Sequence, residues 1–95
     1  MKLLWVVADA GRLEDFQHTL RAAGAGGWTV SPVLEGSGRT GVHAGDRVHP
    51  GALVNLLCVA DDAMASRLFD EVRAARDTAG DVITRLFLLP VERQA

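Results

Sequence analysis

Two stretches of this chain end in the same tripeptide, and that repetition constrains the fold more than any other feature. Leu3–Ala8 (LLWVVA) runs into Asp9, and Leu53–Ala60 (LVNLLCVA) runs into Asp61, so Val-Ala-Asp closes both apolar runs. Each run is followed by apolar residues at three- and four-residue spacing. These are Leu13, Phe16, Leu20 and Ala23 in the first half, and Met64, Leu68, Val72 and Ala75 in the second. That spacing sets side chains on one face of an α-helix. Aligning Asp9 with Asp61 brings Phe16 onto Leu68, Leu20 onto Val72 and Ala23 onto Ala75. Glu14 and Asp15 lie early in the first helix and Arg21 late, as the helix dipole favours. Asp61 or Asp62 is the expected N-cap of the second helix, and Arg67–Glu71 a surface pair on it. Gly24 and Gly80 are the expected C-terminal stops.

Each helix leads towards a further strand, expected at Gly27–Glu35 and at about Ile83–Val91. The chain therefore reads as βαβ–βαβ. It is expected to be one α+β domain over residues 1–95, a ferredoxin-like βαββαβ with a four-stranded antiparallel sheet and two helices on one face. Two helices leave the other face open. Yet LLWVV, LVNLLCV and LFLL put large apolar groups on both sides, the pattern of a sheet buried on both faces. Exposed apolar patches larger than about a few hundred Å² are rare on soluble monomers. Self-association through the open face is expected, and a sheet with a few scattered exposed hydrophobes is the alternative.

Several classes are excluded by composition. The net charge of −2 gives no nucleic-acid footprint. An RNA-recognition domain of this topology would need stacking aromatics that LVNLLCVA lacks. The one cysteine, Cys58, sits in an apolar run and reads as a small core residue in a reducing compartment. The apolar residues between Lys2 and Asp9 are too few for a secretory signal or a membrane span, so a cytoplasmic protein is expected.

A candidate site lies in Gly27–His43, where a strand runs into a glycine-rich loop that continues to about Gly51. The strand alternates, with Trp28, Val30, Pro32 and Leu34 on one side and Thr29, Ser31 and Val33 on the other. Gly36-Ser37-Gly38-Arg39-Thr40-Gly41 formally matches GxGxxG, but no helical period follows and there is no Walker lysine. What remains is an anion cradle, in which glycines let backbone N–H groups approach and Arg39 supplies charge. A flexible glycine-rich hairpin is the alternative. Gly36–Gly51 has only Val42 and Val48 as larger apolar residues, so mobility is expected there in the unliganded protein. His43, Asp46 and His49 could hold a transition metal or be solvated loop residues. His18 faces away from the apolar stripe of its helix and reads as exposed. No Ser–His–acid or Cys–His arrangement can be assembled, so the protein is not expected to be an enzyme.

Gly27-Trp28-Thr29-Val30-Ser31-Pro32-Val33, followed by Gly36-Ser37-Gly38-Arg39-Thr40-Gly41-Val42-His43, resembles the PII signal-transduction proteins. Their second strand and loop start read G-x-T-V-S/T-x-V, then G-x-G-R-Q-x-G-H. Leu13-Glu14-Asp15 at the first helix and Val59-Ala60-Asp61-Asp62 at the second fit as well. The resemblance implies a homotrimer that binds an adenine nucleotide in clefts between subunits and regulates a membrane transporter or metabolic enzyme. It implies Thr29 near the base, and Gly36, Ser37, Gly38 and Arg39 near the phosphates at the base of the long loop. Arg85 stands where the family has a phosphate-binding lysine. The chain has no tyrosine to be uridylylated, and Thr40 replaces the glutamine that serves Mg²⁺ and 2-oxoglutarate. Thr78–Arg85 (TAGDVITR) keeps only part of the family's T-G-x-x-G-D-G-K phosphate loop, so AMP, ADP or cyclic AMP is expected over ATP. The alternatives are a metal-responsive CutA-like trimer using His43, Asp46 and His49, and a trimeric adaptor without a ligand.

Overall fold

The computed structural model describes residues 1–34 and 52–95, and the backbone of Ser37–Gly38 and Gly41–Val42. The first apolar run forms β1 (Lys2–Asp9). Its closing aspartate does not cap the helix directly. The Asp9 carboxylate accepts from the Gly11 amide at 2.8 Å and caps a single 3₁₀ turn, Ala10–Arg12, that feeds α1 (Leu13–Ala22). Gly24 ends that helix at φ 96°, a conformation that costs a residue with a Cβ far more than glycine. β2 (Thr29–Pro32) follows, then the short strands β3 (Ser37–Gly38) and β4 (Gly41–Val42), which pair with each other. The second apolar run is β5 (Leu53–Ala60). Asp61 caps α2 (Asp62–Thr78), its carboxylate accepting from the Met64 amide at 2.8 Å. Gly80, at φ 65°, ends α2 ahead of β6 (Arg85–Pro90).

The main sheet has the order β2–β5–β1–β6, with every neighbouring pair antiparallel. This is the expected four-stranded ferredoxin-like arrangement. β1 and β2 run parallel with β5 threaded between them, so each half of the chain supplies one central strand and one edge strand.

Both edge strands are shorter than the sequence pattern suggests. β2 ends at Pro32, with one further bond to β5 beyond it, from the Val33 amide to the Leu53 carbonyl at 3.0 Å. At its start, Trp28 turns to the helix side, where its indole donates to Gln17 Oε1 at 3.0 Å and Arg21 lies over its ring at 5.4 Å. β6 begins at Arg85 rather than Ile83 because the amides of Ile83 and Thr84 donate to the Asp81 carboxylate at 2.9 and 3.0 Å.

The core lies between the helices and one sheet face. Leu4, Val6 and Ala8 of β1 and Leu56 and Cys58 of β5 meet Phe16, Leu20, Leu68 and Val72 from the helices, all buried. Burial of each large side chain contributes about 1.5–3 kcal/mol. Cys58 is a core residue as expected: burial raises its thiol pKa, and the thiol donates to the Gly27 carbonyl at 3.1 Å. His18 is exposed. Arg67 and Glu71 do not pair; the ion pairs within α2 join Arg73 to Asp70 and Arg76 to Asp77, and the Met1 ammonium pairs with Asp62 at its start. Among the described residues no helix is long and apolar enough to cross a membrane. Apart from four backbone positions, the segment Gly36–Gly51 lies outside the described residues, and with it the expectations for its mobility and for metal binding by His43, Asp46 and His49.

Candidate functional site

On the helix-free face of the sheet the register sets three rows that span β6, β1 and β5. One row is Leu89–Leu3–Val59, the next Phe87–Trp5–Leu57–Thr29, and the third Arg85–Val7–Asn55–Ser31. The first row and most of the second are apolar. Trp5 (37 %), Phe87 (46 %), Leu89 (39 %) and Val59 (47 %) remain exposed in the single chain. Trp5 and Phe87 stack at 5.4 Å between ring centroids with a 43° tilt. Polarity enters in the third row. Trp5 Nε1 donates to Asn55 Oδ1 at 2.9 Å, and Asn55 Nδ2 donates to Ser31 Oγ at 3.2 Å. The helix-free face is thus an apolar field crossed by one short hydrogen-bonded chain.

The ligand residues expected from sequence lie at the margins of this face. Thr29 opens β2, exposed on one edge of the sheet and paired with Leu57. Arg85 opens β6, exposed on the opposite edge and paired with Val7. Three interstrand spacings separate those edges, about 14 Å, so the two residues are not brought together within one chain. Ser37 and Gly38 form β3 of the short strand pair, while Gly36 and Arg39 lie outside the described residues. The Arg85 Nη1 donates to the carbonyls of Val82 and Thr84 at 3.2 and 3.1 Å, which folds the guanidinium back over the turn preceding it.

That turn is shaped by one carboxylate. Asp81 Oδ1 accepts from the Ile83 and Thr84 amides, and Oδ2 from the Thr84 hydroxyl and, at 3.4 Å, from Arg12 Nε. Thr84 is fully buried, and the Asp81 side chain is only 6 % exposed. Arg12 reaches this point from the turn before α1, and it also pairs with Asp15 and lies over the Phe16 ring at 4.9 Å. Burial pushes the Asp81 carboxyl up, but hydrogen bonds from Thr84, Ile83 and Arg12 outweigh it and hold the group below the ordinary carboxylate value. Among the described residues, no group of three or more His, Cys, Asp or Glu side chains could hold a metal ion.

The family model of the nitrogen regulatory protein P-II matches residues 1–94. The chain belongs to the P-II family. No curated protein sequence matches it. Among solved structures, the chain is similar to CPII, a nitrogen regulatory PII-like protein from Thiomonas intermedia K12, bound to ADP, AMP and bicarbonate. The TM-score is 0.70 at 19% identity, over 97% of this chain and 88% of that one. It is similar also to CPII bound to ADP and bicarbonate, with TM-score 0.68 and 19% identity over the same shares. At this identity the likeness establishes a shared fold. The family match bears out the PII resemblance, and the shared fold bears out the expected ferredoxin-like plan.

Two features of this P-II family chain were not foreseen in its sequence. The Asp81 turn has a local signal in Asp-x-x-Thr, a spacing at which aspartate can satisfy following amides and a hydroxyl. Its tie to Arg12 has none, because the two residues are distant in the chain. Asn55 could have been noticed as the lone polar residue in LVNLLCVA, although its partners Trp5 and Ser31 emerge only from the register.

Proposed function

We propose that this P-II family member is a non-enzymatic regulatory sensor, working as a single domain that assembles into a homotrimer with the open sheet faces turned inward. It binds an adenine nucleotide in the clefts between subunits, and nucleotide occupancy alters its grip on a membrane transporter or metabolic enzyme in the cytoplasm. The observation that carries this reading is the open face, whose apolar rows are exposed in the single chain. Thr29 and Arg85 lie on opposite edges of that sheet, so a cleft holding both would be formed by edges of two subunits. The base would lie near Thr29, and the phosphates near Gly36, Ser37, Gly38, Arg39 and Arg85. AMP, ADP or cyclic AMP is favoured over ATP because Thr78–Arg85 lacks the full glycine pattern. The ADP and AMP held by the similar CPII support the nucleotide class.

Light scattering and calorimetry with ATP, ADP, AMP and cyclic AMP test the proposal. A species of three chain masses that binds ADP or AMP is expected. Arginine donates paired hydrogen bonds to phosphate oxygens, and loss of a charge-assisted contact costs roughly 1.5–3 kcal/mol. Arg39→Ala and Arg85→Ala should each weaken binding by about tenfold or more, and Thr29→Val by less. A monomeric wild type would remove the intersubunit site. Unchanged affinity in both arginine variants would remove the assigned phosphate contacts.

A further inference from the structure

We propose that Asp81 is a positioning residue for an anion site at Arg85, replacing with one buried carboxylate the glycine-shaped phosphate loop that this chain lacks. The inference rests on the nucleotide reading above. Four donors converge on the carboxylate: the Ile83 and Thr84 amides, the Thr84 hydroxyl and Arg12 Nε. The first three fix the backbone of the two residues immediately before Arg85. The carbonyls of Val82 and Thr84, carried by that same turn, accept from Arg85 Nη1 and orient the guanidinium. Arg12, placed by the turn before α1, anchors the carboxylate from the far side and also reaches the Ala75 carbonyl of α2 at 3.5 Å.

A guanidinium on a flexible loop must lose its freedom when it meets a phosphate. One already oriented by its own turn loses less, and the saving appears as affinity. A glycine loop presents an anion with backbone amides, whereas here the Ile83 and Thr84 amides are consumed internally by Asp81. The site therefore recognises its anion through the arginine side chain and suits a compact anionic group with two oxygens in one plane, such as a terminal phosphate.

Two readouts on the full chain test this. The first needs no ligand: the ¹⁵N heteronuclear NOE of Arg85 Nε, measured alongside hydrogen exchange at Ile83 and Thr84. Asp81→Ala should lower the NOE and release both amides, while Arg12→Lys, which keeps a cation beside the carboxylate, should preserve both. The second is ADP titration. Asp81→Ala should raise the Kd by about tenfold, and Arg85→Ala should raise it similarly while leaving the two amides protected. An unchanged Arg85 NOE in folded Asp81→Ala would overturn the positioning role. A lowered NOE with unaltered ADP affinity would overturn its connection to the anion site. If wild-type protein bound no ADP, the nucleotide reading would fall, and the positioning of Arg85 would be decided by the NOE alone. Should Asp81→Ala fail to fold, Thr84→Val, which removes one of the four donors and leaves both amides bonded, is measured instead; it should lower the Arg85 NOE and the ADP affinity, with the same refuting results.

Discussion

Val59→Lys puts the assembly face to its most direct test. In the single chain Val59 is nearly half exposed at one end of β5, so a lysine there can keep its ammonium in water. The change should alter monomer folding by no more than about 0.5 kcal/mol. Assembly changes the balance. The exposed parts of Trp5, Phe87, Leu89 and Val59 amount to on the order of 300 Å² of apolar surface per chain, taking side chains of their size. Covering that area would contribute roughly 8 kcal/mol per chain at about 25 cal/mol per Å². Association and side-chain ordering remove at least about 4 kcal/mol of it. Burying an ammonium costs several kcal/mol even after relaxation, which is as large as the remaining margin. Val59→Lys should therefore convert a species of three chain masses into the 10.1 kDa monomer at micromolar concentration. Sedimentation velocity reads the difference directly. Asp70→Lys, on the exposed side of α2, is the charge control and should leave the mass unchanged. A Val59→Lys protein that keeps the wild-type sedimentation coefficient would put the contact elsewhere and refute this reasoning.

Two further outcomes concern the folded chain. The Asp81 pKa is lowered on folding, so its stabilisation is complete above the unfolded carboxylate value of about 3.9 and is lost as pH falls through the folded value. Urea denaturation should find Asp81→Asn about 2 kcal/mol less stable than wild type at neutral pH, with the gap narrowing as the solution is acidified below the carboxylate range. Phe16 has no exposed surface and packs at the centre of the helix–sheet core, so Phe16→Ala should cost about 3–5 kcal/mol; a smaller change in the urea midpoint at unchanged slope would mean that the core closes over the gap.

The parts of the fold legible in the sequence were those governed by near neighbours. Leu13, Phe16 and Leu20 predicted an inward helix face from spacing alone, and Gly24 and Gly80 predicted helix ends because both adopt positive φ. Asp61 could be read as a cap from its position ahead of an apolar period, and its carboxylate meets the Met64 amide. The apolar runs likewise announced strands that carry apolar side chains on both faces. The errors came where one side chain redirected a backbone. The strand expected from about Ile83 starts instead at Arg85, and nothing local in the sequence shows that Asp81 takes the Ile83 and Thr84 amides. Arg67 and Glu71 have suitable spacing on α2, yet exposed pairs at such spacing are worth so little that geometry need not hold them together. The placement of the candidate site residues was not legible in the sequence. Thr29 and Arg85 stand on opposite edges of the sheet, and strand order is a property of long-range pairing rather than of spacing.

The hydrogen bond from the Val33 amide to the Leu53 carbonyl, at 3.0 Å, has an evolutionary consequence. It closes the mouth of the insertion that joins β2 to β5, where those strands already lie side by side. Closing a loop between fixed, adjacent ends depends only weakly on its length, and doubling it costs about 0.6 kcal/mol. Residues between these two positions can be added, removed or exchanged by mutation with little effect on the sheet or the core. A lineage carrying this domain can thus rewrite what the insertion contacts while the scaffold is inherited intact.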